Sequence, residues 1–238
     1  MHPAHGGPIV VPSQDMVLGC YYLTKQRKGQ KGDGNDFSSI DEVILANVNQ
    51  SVDLHAIINV RFKGEWVKNT TVGRAIFNSI LPEEFDFVDE LITKKKLEKI
   101  IHESYFKSGN YRTVEFLDDL KNLGFEYATF SGASIGIDDV LIPGEKSDII
   151  KRAYKEVDSI HAKFNRQILT EGERYNKVID VWTHATNEVA ATMMKHMEED
   201  QEGFNSLFML ADSGARGSQD QIKQLAGMRG LMAKPDGS

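Results

Sequence analysis

The apolar positions change period along the chain, and each period predicts an element. Behind Pro12, Met16, Val17, Cys20 and Tyr21 recur at helical spacing; with Ser13 as cap and Asp15 in the first turn, this predicts a short buried helix to about Thr24. The run KQRKGQKGDGN at 25–35 is polar and Gly-rich and reads as a mobile loop. Ser39 and Glu42 have the Ser-x-x-Glu form of a capping box, which predicts a helix to about Val48. Val52, Leu54, Ala56, Ile58, Val60 and Phe62 alternate as a half-buried strand does, Gly64 turns the chain, and 66–72 returns as the partner of a hairpin. Ala75, Ile76, Phe77, Ile80 and Leu81 then sit at helical spacing before Pro82. Leu97, Ile100, Ile101 and Tyr105 mark one further helix. Leu117, Leu120 and Leu123 mark another, with Gly124 placed as a left-handed C-terminal cap.

The strongest periodic signal lies at 147–197. Ile149, Ala153, Val157, Ile160, Phe164 and Ile168 form one apolar stripe, and Val178, Trp182, Ala185, Val189 and Met193 form a second. Thr170 and Glu173 between them match a second capping box. Two long helices joined by so short a link must lie antiparallel, which predicts a projecting helical hairpin. An acidic, loop-like stretch follows at 197–204. The expected fold class is α+β and mainly helical: a small β-hairpin or sheet with packed helices, plus the long antiparallel helical hairpin.

Composition narrows this picture. With 238 residues, 40% hydrophobic and 26% charged, the chain has the make-up of an ordinary soluble protein with one large or two small domains. A formal charge of -7 argues against a free-standing nucleic-acid binder, because phosphate binding needs clustered Lys and Arg. Cys20 is the single cysteine, so an intrachain disulfide and a Cys-based zinc site are excluded and a reducing, cytoplasmic setting fits. No apolar run reaches the roughly 18 residues of a membrane span, and the start lacks a leader's basic and apolar stretches. Both ends read as cut: the first dozen residues are rich in Pro and Gly, and KPDGS at 234–238 is turn chemistry.

The most informative chemistry lies in DSGARGSQDQ at 212–221. Ser218 and Gln221 form a third capping box, and the glycines before it permit tight turns. Helix-start amides attract anions, and Arg216 adds a positive fork able to grip a phosphate. The same residues also read as a Gly-rich turn with an exposed Arg, and Asp212 and Asp220 weaken the positive field. After Ile222, Leu225 and Ala226, the breaks at Gly227, Gly230 and Pro235 describe a segment built to bend. No phosphate-loop, zinc-protease, dinucleotide or nucleophile-elbow signature is present. His184 and His196 are too far apart on one helix to share a metal and read as surface or packing residues. Asp138 and Asp139, adjacent acids beside a glycine-rich turn, read as a cap or turn and not as a metal site.

Several stretches together resemble the largest subunit of bacterial DNA-dependent RNA polymerase. They are VPSQDMVLG at 11–19 with YYLT at 21–24, TTVGRAI at 70–76, SGASIGIDD at 131–139, GERYNKVID at 172–180 and ADSGARGS at 211–218, running on through QLAGMRGLMAKPDGS at 224–238. The resemblance spans essentially the whole chain and about a sixth of such a subunit. It implies an internal piece: 1–142 as the pore region and 143–238 as the funnel, with the hairpin as the rim of the secondary channel. The family's metal-binding aspartate motif, bridge helix and trigger loop do not occur here.

The resemblance further implies nucleotide addition at a pair of Mg²⁺ ions held outside this stretch, which supplies channel wall and no cofactor site of its own. Arg216 matches the family position near the incoming triphosphate; Gln221 and Gln14 are expected to line the same space. Arg174, Asn176, Lys177 and Asp180 match the rim segment where secondary-channel factors and guanosine tetraphosphate act. The implied partners are the beta, alpha, omega and sigma subunits, nucleoside triphosphates, and DNA and RNA through the whole enzyme, with no membrane. Two other classes stay open: a stand-alone regulator of secondary-channel type, which would need the hairpin acids Glu171 and Glu173 to reach a metal, and a helical binding scaffold.

Overall fold

In the computed structural model, which describes residues 3–4, 6–232 and 235, the chain divides into two units, 1–134 with 209–216 and 135–208 with 217–238. The turn chemistry read at 234–238 lies outside the described residues, Pro235 excepted.

The first unit is built on helix α1 (Asp15–Thr24), the short strand β1 (Asp36–Phe37), helix α2 (Ile40–Val48), strands β2 (Ile57–Phe62) and β3 (Glu65–Thr71), and helices α3 (Val72–Ser79) and α4 (Lys94–Ser131). The sheet order is β1-β2-β3: β1 runs parallel to β2, and β2 pairs antiparallel with β3 around Gly64, with a bulge between Ile58 and Val60. Val17, Cys20, Leu23, Ile58, Val60, Phe77, Leu97, Phe116 and Leu120 close one core.

That core exists because two helices come unusually close. A Cβ built on Gly19 of α1 would stand 1.8 Å from the carbonyl oxygen of Gly124 in α4, and one on Gly124 would stand 2.8 Å from Met16 Cα. Gly124 is therefore a helix-interior residue that admits a neighbouring backbone, and the sequence-based cap at this position is corrected. The left-handed cap is Gly132, with φ 55°, whose N–H donates to the Thr129 carbonyl. The two helices expected around 97–105 and 117–123 are both present within α4 and meet at a kink at Gly109, where φ is 76° and ψ 178°.

Other expectations shift at their edges. The N-cap of α1 is Gln14, at φ 48°, without a side-chain cap; the carbonyls of Ser13 and Gln14 accept from Met16 and Leu18. Ser39 caps α2 through the Glu42 N–H as expected, but the Glu42 carboxylate turns to the Ser38 N–H and hydroxyl. The alternating run from Val52 becomes strand only at Ile57, because the backbone of 53–56 is spent on Lys31, Val72 and Gly73. The polar loop at 25–35 is tied down. Asp33 accepts from the Ile57, Gly29 and Gln30 amides, Gly34 N–H donates to the Ile57 carbonyl, and Lys31 binds Asp53 and the Gln50 carbonyl.

In the second unit, a 3-10 turn (Ile137–Asp139) leads to α5 (Lys146–Asn165) and α6 (Glu171–Glu199), the expected antiparallel pair. Ile149, Ala153, Ala185 and Val189 pack with Val181 and Trp182, and Tyr154 meets Trp182 edge-on at 5.0 Å. Arg152 pairs with Glu188 across the hairpin. Burial fades along it: Ile149 to Ile160 are buried, whereas Ile168 is 65% exposed. Helix α7 (Ser206–Ser213) begins in this unit and ends in the first, its first amides, Leu207 and Phe208, capped by the side-chain oxygen of Asn205. Helix α8 (Gln219–Ile222) runs into a π turn (Lys223–Gly227), after which the backbone is extended at Met228.

Candidate functional site

The turn that carries Arg216 follows α7 and ends the first unit. Gly214 takes φ 73°, a conformation that disfavours any side chain, and its Cβ position faces Lys94 Cβ at 3.3 Å. Ser213 Oγ donates to the Leu210 carbonyl and accepts from the Ala215 N–H; the Arg216 N–H donates to Leu210 at 3.3 Å. Ala215 packs on the core. The backbone leading into Arg216 is thus held while its side chain is exposed, and among the described residues no hydrogen bond or ion pair engages the guanidinium. A guanidinium fork with open donors is suited to an oxyanion or phosphate.

Gln14, also in the first unit, is exposed at the N-cap of α1. Gln221 belongs to the second unit, where its side-chain oxygen accepts from the Ser218 N–H at 3.0 Å and its own N–H donates to Ser218 Oγ. The reciprocal cap read from the sequence is present, so the Gln221 carbonyl oxygen is committed and its amide NH₂ is the group left to face a ligand.

The hairpin residues do not behave as a set. Arg174 is half-buried: its guanidinium lies 5.2 Å over the Phe164 ring and pairs with Glu171 at 3.3 Å. Asn176 is exposed. Lys177 and Asp180, one turn apart, line a groove of about 550 Å³ with Lys163 and the apolar side chains of Ile160, Ile168, Leu169 and Val181. Those apolar partners went unread in the sequence, although Ile160 and Ile168 belong to the first stripe. The Thr170 amide and hydroxyl hold the Glu173 carboxyl below the usual carboxylate range. With Glu171 on Arg174 and Glu173 on Thr170, the acids at the hairpin turn are already engaged.

Electrostatics elsewhere are those of packing. Burial pushes the Cys20 thiol up to about 12, which leaves it inert. Burial also lowers His55, whose Nδ1 lies 2.9 Å from the Lys25 carbonyl; a carbonyl only accepts, so Nδ1 carries the proton. Asp139 accepts from the Gly136 N–H, the turn role expected for it. Among the described residues no group of three or more His, Cys, Asp or Glu is placed to hold a metal ion.

Comparison with known proteins decides the family. The model for RNA polymerase Rpb1, domain 3, matches residues 1–140, and that for Rpb1, domain 4, matches 169–237. The chain belongs to the RNA polymerase Rpb1 family. It is 51% identical over 251 residues to the DNA-directed RNA polymerase subunit beta' of Thermodesulfovibrio yellowstonii, covering 100% of this chain and 18% of that protein. It is 46% identical over 243 residues to the beta' subunit of Bacteroides fragilis, covering 99% and 17%, and 49% identical over 247 residues to that of Aquifex pyrophilus, covering 100% and 16%. The chain therefore spans about a sixth of the length of these relatives. Among the described residues no helix is long and apolar enough to cross a membrane.

Proposed function

We propose that this chain works as part of a DNA-directed RNA polymerase and walls the passage through which nucleoside triphosphates reach the reacting centre. In this reading residues 1–142 are the pore and 143–238 the funnel. Arg216 meets the triphosphate, with Gln14 and the Gln221 amide lining the same passage. The hairpin residues Arg174, Asn176, Lys177 and Asp180 receive secondary-channel factors or guanosine tetraphosphate. The beta, alpha, omega and sigma subunits are its partners, DNA and RNA are met through the assembled enzyme, and the reacting metals are held by other parts of the polymerase. The chain alone adds no nucleotides.

The observation that carries this reading is the Arg216 turn, whose backbone is pinned to Leu210 and to the core through Ala215 while its guanidinium stays open. An open guanidinium on a held backbone presents a charge and paired N–H donors that match the oxygens of a phosphate. In the assembled polymerase, Arg216→Ala raises the apparent KM for nucleoside triphosphates by about tenfold, the scale of one lost charge-assisted hydrogen bond. An unchanged KM and rate would make Arg216 a structural residue. A stand-alone regulator would have to release Glu171 from Arg174 and Glu173 from Thr170 before either acid could reach a metal.

A further inference from the structure

The turn bearing Arg216 is anchored by a residue distant in sequence. Tyr21, fully buried in α1, donates its hydroxyl hydrogen to Asp212 Oδ2 at 2.7 Å, across 191 positions of the chain. The buried Lys25 lies one turn further along, with Nζ 3.4 Å from Tyr21 Oη and 5.1 Å from the ring centroid. An ammonium only donates, so the phenol oxygen accepts from Lys25 while its own hydrogen goes to Asp212. The order Lys25 to Tyr21 to Asp212 is therefore directional, with a charge at each end to strengthen it.

Little slack separates Asp212 from Arg216. Gly214 is pressed near Lys94, Ala215 packs on the core, and the Arg216 amide is bonded to Leu210. Tyr21 lies in α1, behind the exposed N-cap residue Gln14. That helix is itself set by the Gly19–Gly124 crossing. We infer that Tyr21 and Asp212 are a positioning pair: their hydrogen bond sets where the Arg216 guanidinium stands with respect to α1, and hence how well it meets a nucleoside triphosphate. The inference rests on the reading of Arg216 given above.

The test is nucleotide addition by the assembled polymerase, with the four natural ribonucleoside triphosphates as probe. Tyr21→Phe removes one oxygen and keeps the ring. It raises the apparent KM about three- to tenfold and leaves the rate at saturation within about twofold, because the lost contact acts on placement of a binding group. In an Arg216→Ala background the same change adds nothing, since the group being placed is gone. Asp212→Asn, which keeps an acceptor oxygen, stays nearer to wild type than Asp212→Ala, and these two variants report on the pair from its exposed side should Tyr21→Phe not fold. A wild-type KM for Tyr21→Phe and Asp212→Ala, or effects that multiply with Arg216→Ala, overturns the pairing. If Arg216→Ala raises KM and Tyr21→Phe does not, only the pairing falls; if Arg216→Ala leaves KM unchanged, both readings fall.

Discussion

The two regions that carry candidate residues are built on opposite principles. Under Gln14 and Arg216 lies a crossing of α1 and α4 so close that two glycines are obligatory, with the buried Tyr21 joining helix to turn. Under Lys177 and Asp180 lies a helical hairpin whose burial runs out before its end, leaving Ile168 in solvent and the turn held by a side-chain cap. A change beneath the first pair is therefore transmitted through a rigid core, where even one methyl group is felt. A change beneath the second is absorbed locally. Placement of a small, charged ligand calls for the first kind of support; a surface that meets exchangeable factors can use the second.

Three changes break or sharpen this contrast. The largest effect is expected for Gly19→Ala. Its Cβ would fall 1.8 Å from a backbone oxygen, which no side-chain rotation relieves, so the crossing must open at a cost of about 3 kcal/mol or more. Hydrogen–deuterium exchange in the assembled enzyme should show protection lost in both α1 and α4. Wild-type protection there would mean that the crossing is not the support claimed for it.

The next concerns pH. His55 is buried neutral with its proton on Nδ1, and burial lowers its pKa below the usual histidine value. A base with a lowered folded pKa contributes stability that is fully present above its unfolded pKa, about 6.5, and is lost as pH falls through the folded value, because only the unfolded chain takes up the proton. Protection of the amides around β2, corrected for intrinsic exchange, should therefore fall as pH drops below about 6.5. His55→Asn keeps a donor for the Lys25 carbonyl and should flatten that dependence. An equal slope in both proteins would remove His55 from the account.

The smallest is Thr170→Ala. It removes the cap from the first turn of α6 and should cost about 1 kcal/mol, seen as faster exchange of the first α6 amides. Amides near Val189 should be unaffected. Loss of protection along the whole hairpin would show that its turn, and not its base, holds it together.

What was legible in the sequence follows the range of each interaction. The hairpin, with its stripes and the Thr170–Glu173 cap, depends on residues three or four apart and stands as read, except that Ile168, counted in the first stripe, lies past the end of α5 and is exposed. The Ser218–Gln221 cap is equally local. Gly124 misled because a glycine that ends a helix and one that admits a second backbone look alike until the partner, Met16 and Gly19, is known. The loop at 25–35 looked free because its anchors, Asp53 and Ile57, lie beyond the window in which polarity is judged. β1 is two residues long and carries no period at all. At the candidate site, Arg216 and its glycines announced themselves, whereas nothing local could pair Tyr21 with Asp212.

On the proposed function, the open Arg216 guanidinium grips the nucleotide's phosphates. Single-turnover titration of the assembled enzyme with a matched nucleoside triphosphate tests it most directly, comparing wild type, Arg216→Lys and Arg216→Ala. Apparent Kd should rise in that order, with Lys keeping the charge but losing the fork. Three equal values would contradict it.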